Sequence, residues 1–340
     1  MTGPSPADAG QSGRPVAAVL DAMPPASREV ISSIFGRDFD VVFAADDSAE
    51  AKRAAASQAT AMLTMWGAVD AATISAAPGA QVIQKLGIGT EKIDTAAAAA
   101  QGVAVLKAAG INADAVAELA VLLILAVGRH LPKAMAAARS GKLEKELLRA
   151  ESFQLMGKTV GLLGLGHIGQ AVARRLAPFR VHLIYHDLRR ADPRTEADCS
   201  LRYTTAEEIL TTADVISLHL PSTQATRNLI DASALSRVKP GLILVNTARG
   251  GLVDEQALAD AIIDGRVLGA GLDVTAEEPL PVTSPLHDLD RVVLTPHVGG
   301  AVANNFPRVI QRAYDNVQAM LAGGTVDDAD IVVWPGQAVS

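Results

Sequence analysis

Residues 159–187 read TVGLLGLGHIGQAVARRLAPFRVHLIYHD, and this stretch decides the fold. Thr159 to Leu163 is an apolar run of strand length. The chain then turns through Gly164-Leu165-Gly166-His167-Ile168-Gly169 into a helical repeat, with Ile168, Ala171, Val172 and Leu176 on one face and Arg174 and Arg175 off it. A second apolar strand, Val181 to Tyr185, ends at Asp187, eighteen positions beyond Gly169. The order is strand, glycine turn, helix, strand, acid.

Each glycine has a physical task in such a unit. Gly164 allows the tight turn, Gly166 lets a pyrophosphate approach the backbone where a Cβ would stand, and Gly169 lets the helix pack closely on the strand. The unpaired N–H groups near His167 and Ile168 face that phosphate along the favourable end of the helix dipole. Asp187 can accept hydrogen bonds from both hydroxyls of an adenosine ribose and repels a 2′-phosphate. Glycine turns alone are common, but the flanking strands and the spaced acid make this a dinucleotide site. NAD is therefore expected over NADP, with Arg189 and Arg190 as the neighbours able to oppose that preference.

Upstream of this unit, short apolar runs alternate with helical patterns. Strands are expected at Val16–Leu20, Val41–Phe43, Ala61–Met65 and Val82–Leu86, the last running into Gly87-Ile88-Gly89-Thr90. Downstream, strands are expected at Val215–His219, Leu242–Asn246, Val267–Asp273 and Val292–Thr295, with helices between them. This alternation predicts an α/β chain with two doubly wound parallel sheets. One comprises residues 15–108 with 299–340, where the helix Phe306–Leu321 returns. The other, 109–298, is inserted into it. Asn112 to His130 reads as a helix so apolar that it must be buried between domains or subunits, and 132–156 as a helical arm. Residues 1–14, rich in Gly, Pro, Ser and Ala, read as a disordered tail.

Composition bounds the remaining possibilities. The chain has 340 residues, 49% hydrophobic and 20% charged, so two cores are within reach. A net charge of −7 without a basic stripe argues against a nucleic-acid partner. The longest apolar run, Leu119–Val127, is too short for a bilayer, and no signal peptide is read at the start. The single cysteine, Cys199, excludes an intramolecular disulfide and suits a reducing cytoplasm.

Four polar clusters fall at expected strand ends: Thr247-Ala248-Arg249-Gly250, Asp273, Glu277-Glu278-Pro279 and Thr295-Pro296-His297. In open parallel sheets, ligands bind beyond those ends. Taken singly, each cluster has an ordinary structural explanation. An arginine, a carboxylate and a histidine converging on a dinucleotide domain instead point to hydride transfer coupled to proton transfer.

These segments resemble the D-2-hydroxyacid dehydrogenase family over about residues 60–320. The resemblance is carried by LGIGTEKID (86–94), NADAVAELA (112–120), the glycine unit, VNTARGGLVDE (245–255), GAGLDV (269–274) and LTPHVGG (294–300). It implies a Rossmann NAD-binding domain inserted into a flavodoxin-like substrate-binding domain. Arg249 would grip a substrate carboxylate with a forked guanidinium. His297 would be the acid–base. Glu278, next to the proline, would orient the imidazole and favour its protonated form. Amides of Ile88 and Gly89, with Asn112, would receive the substrate. Asp273 would receive the nicotinamide carboxamide, and Pro221 and Thr247 would complete the cofactor contacts.

Departures from relatives narrow the substrate. Phosphoglycerate dehydrogenases carry arginines for the phosphate where this chain has Thr64, Met65 and Trp66, so a non-phosphorylated 2-keto or 2-hydroxy acid is expected. Formate dehydrogenases have glutamine where Glu278 stands. No serine-binding regulatory domain is expected after residue 340. The resemblance also implies a homodimer formed near the helix Asn112–His130, and the shortness of the apolar runs leaves no membrane partner expected. The alternative function is an NAD(H)-sensing, corepressor-like binding protein of the same fold, since such proteins keep the same Arg, Glu and His.

Overall fold

The structure, a computed structural model, describes residues 13–335. Residues 1–12 of the expected tail lie outside the described residues. Arg14 does not fit that reading, because its guanidinium donates to the Gly36 carbonyl at 2.9 Å. The described chain divides into two compact units, 13–112 with 303–335, and 113–302. Both switches come four residues later than the sequence reading placed them. Ala109 N–H is held by Asp330 at 2.6 Å, which keeps that stretch in the first unit. Val298 and Gly299 donate to Asp273, which keeps them in the second.

In the first unit, β1 (Val16–Val19), β2 (Asp40–Phe43), β3 (Ala61–Thr64), β4 (Val82–Lys85) and β5 (Ala104–Leu106) run parallel in the order β5-β4-β3-β1-β2. The last strand of the chain, Ile331–Val333, adds an antiparallel edge on β5. Alternate residues of β1 serve two cores. Ala17 and Val19 face the helices Pro25–Phe35 and Phe306–Leu321, and Ala18 faces Ala49–Ala56. Just past β1, the buried Asp21 carboxylate accepts the N–H groups of Met65 and Gly67 at 2.5 and 2.6 Å. It thereby fixes the loop that leaves β3. Lys85 Nζ donates to the Met65 carbonyl in the same loop.

The second unit is built on β6 (Thr159–Leu163), β7 (His182–His186), β8 (Leu201–Tyr203), β9 (Val215–Leu218), β10 (Leu242–Asn246), β11 (Val267–Leu272) and β12 (Val292–Leu294). Their order is β12-β11-β10-β9-β6-β7-β8, all parallel. The chain starts at β6, winds out to β8, returns past β6 to β9 and winds out the other way. A ligand crevice opens at such a reversal.

The helix Ala113–Gly128 lies on β10 and β11 of its own unit, which is where its apolar face is buried. Gly269 and Gly271 make that possible. A Cβ on Gly271 would stand 2.7 Å from Leu123 Cβ, and one on Gly269 would stand 2.3 Å from the Arg291 carbonyl oxygen. Arg175 on the helix His167–Leu176 pairs with Asp114 and Glu118, clamping the two helices together. The apolar helix ends at Gly128, earlier than its hydropathy predicts, because His130 adopts φ 48° and a second helix, Leu131–Arg139, leaves at 64°. Among the described residues no single helix is long and apolar enough to cross a membrane.

Candidate active site

Strand register assembles the rim of the second unit. Leu163, Leu218, Asn246, Leu272 and Leu294 are neighbours across β6, β9, β10, β11 and β12. The next residue on each strand, Gly164, His219, Thr247, Asp273 and Thr295, therefore lines the carboxyl edge. Asp187 follows β7 on the other side of β6.

The glycine turn has a separate reason for each glycine. Gly164 sits at φ 95°, and a Cβ there would stand 2.5 Å from the His219 carbonyl oxygen. A Cβ on Gly169 would stand 2.3 Å from the Gly164 oxygen, so the helix is seated directly on the turn. Around Gly166 there is open space where a Cβ would be, and no side chain caps the helix that begins at His167. Asp187 Oδ2 accepts the Leu165 N–H at 2.7 Å, which sets the acid against the turn.

Two further features fit a cofactor at this edge. Thr247 Oγ1 and both ring nitrogens of His219 are buried with no hydrogen-bond partner among the described residues. His219 as a residue is partly exposed, but its ring is enclosed, and burial pulls its pKa down to about 4. Buried polar atoms are normally paired, and orphans gathered on one rim point to a ligand there. Neutral His219 could offer both a donor and an acceptor. Pro221 lies in the exposed loop after β9, where its carbonyl accepts from Thr226 Oγ1.

On the β10–β12 side the structure brings together the two residues expected to handle the proton. His297 Nδ1 lies 2.9 Å from Glu278 Oε2 and 3.1 Å from Oε1. A carboxylate cannot donate, so Nδ1 carries the proton and Nε2 is the nitrogen left for chemistry. The neighbouring Glu277 instead uses its backbone carbonyl to accept from Thr275 Oγ1. His297 adopts φ 53°, a left-handed conformation that only its surroundings enforce.

Those surroundings are Asp273, 2% exposed. Its carbonyl accepts the His297 N–H at 2.8 Å, and its carboxylate accepts Thr295 Oγ1, Val298 N and Gly299 N at 2.6, 2.9 and 2.8 Å. Three of roughly four acceptor positions are thus taken by protein, leaving one for a ligand. The sequence reading assigned Asp273 a cofactor contact and missed this anchoring task.

Arg249 follows β10 and is partly buried. Asn246 shapes its turn, with Oδ1 accepting the Ala248 N–H and Nδ2 donating to the Arg249 carbonyl at 3.0 and 2.8 Å. A Cβ on Gly250 would fall 1.9 Å from the Thr275 carbonyl carbon, so the arginine turn lies against the loop leading to Glu278. Sequence reasoning passed over Asn246. A polar side chain ending an otherwise apolar buried strand was the available signal.

On the first unit, Ile88 and Gly89 lie in the turn after β4, and their N–H groups find no acceptor among the described residues. Asn112 Oδ1 is buried with no hydrogen-bond partner among the described residues. Among the described residues no cluster of His, Cys, Asp and Glu could hold a metal ion.

Comparison with known proteins agrees with this geometry. The family model described as "D-isomer specific 2-hydroxyacid dehydrogenase, NAD binding domain" matches residues 121–299. The chain is 42% identical to D-3-phosphoglycerate dehydrogenase of Mycobacterium tuberculosis, over 77% of this chain and 49% of that protein. It thus spans about half the length of the curated phosphoglycerate dehydrogenases it matches. It is 40% identical to hydroxypyruvate reductase of Thermotoga maritima, over 71% of this chain and 78% of that one. The NAD-dependent formate dehydrogenase of Staphylococcus aureus, solved in complex with NAD, superposes with a TM-score of 0.82 at 26% identity, covering 94% of this chain and 99% of the other. By family model and by relatives, the chain belongs to the D-isomer specific 2-hydroxyacid dehydrogenase family.

Proposed function

We propose that this protein is an NAD-dependent D-2-hydroxyacid dehydrogenase working as a reductase of a non-phosphorylated 2-keto acid. The observation that carries the proposal is the Glu278–His297 pair on the same sheet edge as the glycine cradle. NAD(H), when bound, supplies or accepts the hydride. Gly164, Gly166 and Gly169, the helix start at His167 and Ile168, and Asp187, Pro221, Thr247 and Asp273 are the residues that would hold it.

His297 delivers a proton from Nε2 to the substrate oxygen during reduction and takes it back in oxidation, while Glu278 fixes the ring by its hold on Nδ1. Arg249 binds the substrate carboxylate and the reacting oxygen. Ile88, Gly89 and Asn112 are the substrate-binding candidates of the first unit, a role supported by the unpaired amides of that turn.

The β3 loop supports a substrate without phosphate. Thr64 is buried and donates to the Gly67 carbonyl, and Lys85 and Lys92 donate to the carbonyls of Met65 and Trp66. No arginine stands in the loop. Exposed Leu122, Leu131, Met135, Leu143 and Leu147 support a homodimer through the helices of residues 113–151, which light scattering would test. A cytoplasmic location belongs to the same reading.

The deciding experiment is NADH oxidation with a panel of 2-keto acids, phosphorylated and not. Turnover with non-phosphorylated acids is expected. Turnover confined to phosphorylated ones would replace the substrate class, and binding of NADH without any reduction would favour the corepressor-like alternative.

A further inference from the structure

The loop after Asp187 holds an arrangement that the cofactor reading leaves unexplained. Leu188, Arg189 and Arg190 are exposed, and an arginine at this place is what a dinucleotide 2′-phosphate would need. Arg190 is nevertheless tied back. Its Nε and Nη2 donate to Glu196 Oε1 and Oε2 at 2.9 and 2.8 Å, a two-pronged pair with the helix Pro193–Cys199. The guanidinium carbon also lies 5.8 Å from the centre of the Tyr203 ring.

Glu196 is itself held from behind. Tyr185, wholly buried in β7, donates its hydroxyl to Glu196 Oε1 at 2.7 Å and accepts the Ala191 N–H at 2.9 Å. Arg190 and Tyr185 together keep the Glu196 carboxyl down at about 2, so it stays charged over the whole working range. Only 12% of the Glu196 side chain is exposed, against 65% of Arg190. The anchor is fixed and the arginine is drawn to it.

We propose that Glu196 is a cofactor-specificity residue: by capturing Arg190 it withholds the cation that would otherwise receive a 2′-phosphorylated dinucleotide beside Asp187. Discrimination then has two parts. Asp187 repels the phosphate, and the Tyr185–Glu196 anchor holds back one of the two arginines that follow it. This inference rests on the dinucleotide reading of the glycine cradle.

The test is direct binding of NADH and NADPH, followed by fluorescence titration, to the wild-type chain, Glu196→Gln, Glu196→Ala, and Glu196→Gln combined with Arg190→Ala. Wild type is expected to bind NADH at least about ten-fold tighter than NADPH. Each Glu196 variant should tighten NADPH by about ten-fold with NADH changed less than about three-fold, and Arg190→Ala should erase the gain. Glu196→Gln keeps an acceptor for Tyr185, so it remains informative where Glu196→Ala does not fold. NADPH affinity unchanged in the folded variants, or a gain that survives Arg190→Ala, overturns the inference alone. A wild-type chain that binds neither nucleotide overturns the cofactor reading and the inference with it.

Discussion

Asp273 fixes His297 without touching its ring. Its carbonyl takes the His297 N–H, while its carboxylate gathers Thr295, Val298 and Gly299 on either side. The histidine is held in a left-handed backbone conformation by the residues around it, and Glu278 then needs only to set the ring.

Asp273→Asn should expose that division of labour. The amide would place an N–H₂ against backbone N–H donors, leaving buried groups unpaired at about 1–3 kcal/mol. Thermal unfolding should fall accordingly, and turnover should drop by more than NADH affinity does. Wild-type turnover in this variant would show that His297 is positioned by other means.

His297→Ala should reduce turnover by about 10²–10⁴-fold with NADH binding little changed, the range for lost acid–base help. Arg249→Lys should raise KM and lower kcat together, since a point charge cannot reproduce a forked grip. Steady-state kinetics beside NADH titration separates these outcomes.

Glu278→Gln keeps size and a hydrogen bond but removes the charge. Keto-acid reduction should fall by about ten-fold or more, less than the loss of the histidine itself costs, while the fold is unaffected. Unchanged reduction would remove Glu278 from the proton chemistry.

His219 gives a pH dependence of stability with a definite sign. Its folded pKa is about 4 against an ordinary 6.5, so the unfolded chain takes up the proton first. Stability should be full above about pH 6.5 and decline as pH falls toward 4, by an amount of order a few kcal/mol. His219→Leu should flatten that slope in thermal melts from pH 7 to 4.5. An identical slope in the variant would place the acid sensitivity elsewhere.

Two glycines should fail differently. Gly269→Ala pushes a methyl into the Arg291 carbonyl and Val127, costing about 1–3 kcal/mol in urea unfolding. Gly166→Ala meets nothing in the protein, so stability should hold to within about 0.5 kcal/mol. NADH binding should nevertheless weaken, because on the proposed reading that space receives the pyrophosphate.

Much of this was legible in the sequence because the informative features are local. Apolar runs five residues long, such as β6 and β10, announce strands, and the glycine unit with its acid spans a single continuous segment. β5, β8 and the edge strand Ile331–Val333, three residues each, were not read as strands. The break at His130 was hidden because hydropathy continues across it and only the backbone angle changes. Asn246 and Glu196 were passed over for a different reason. Their tasks depend on which backbone groups or side chains the fold brings within 3 Å, and residue type alone does not reveal that.

The grip of Asp21 on the β3 loop bears on how such a protein can change its diet. The carboxylate holds amide hydrogens, which every residue except proline possesses, so it asks nothing of the side chains at 65 and 66; only Gly67 is fixed, since a Cβ there would stand 2.6 Å from Asp21 Oδ1. Positions 65 and 66 can therefore be rewritten while the path of the loop stays the same. Where a loop of this kind faces a substrate, its path and its side chains are set separately, and the side chains can change without the path being rebuilt.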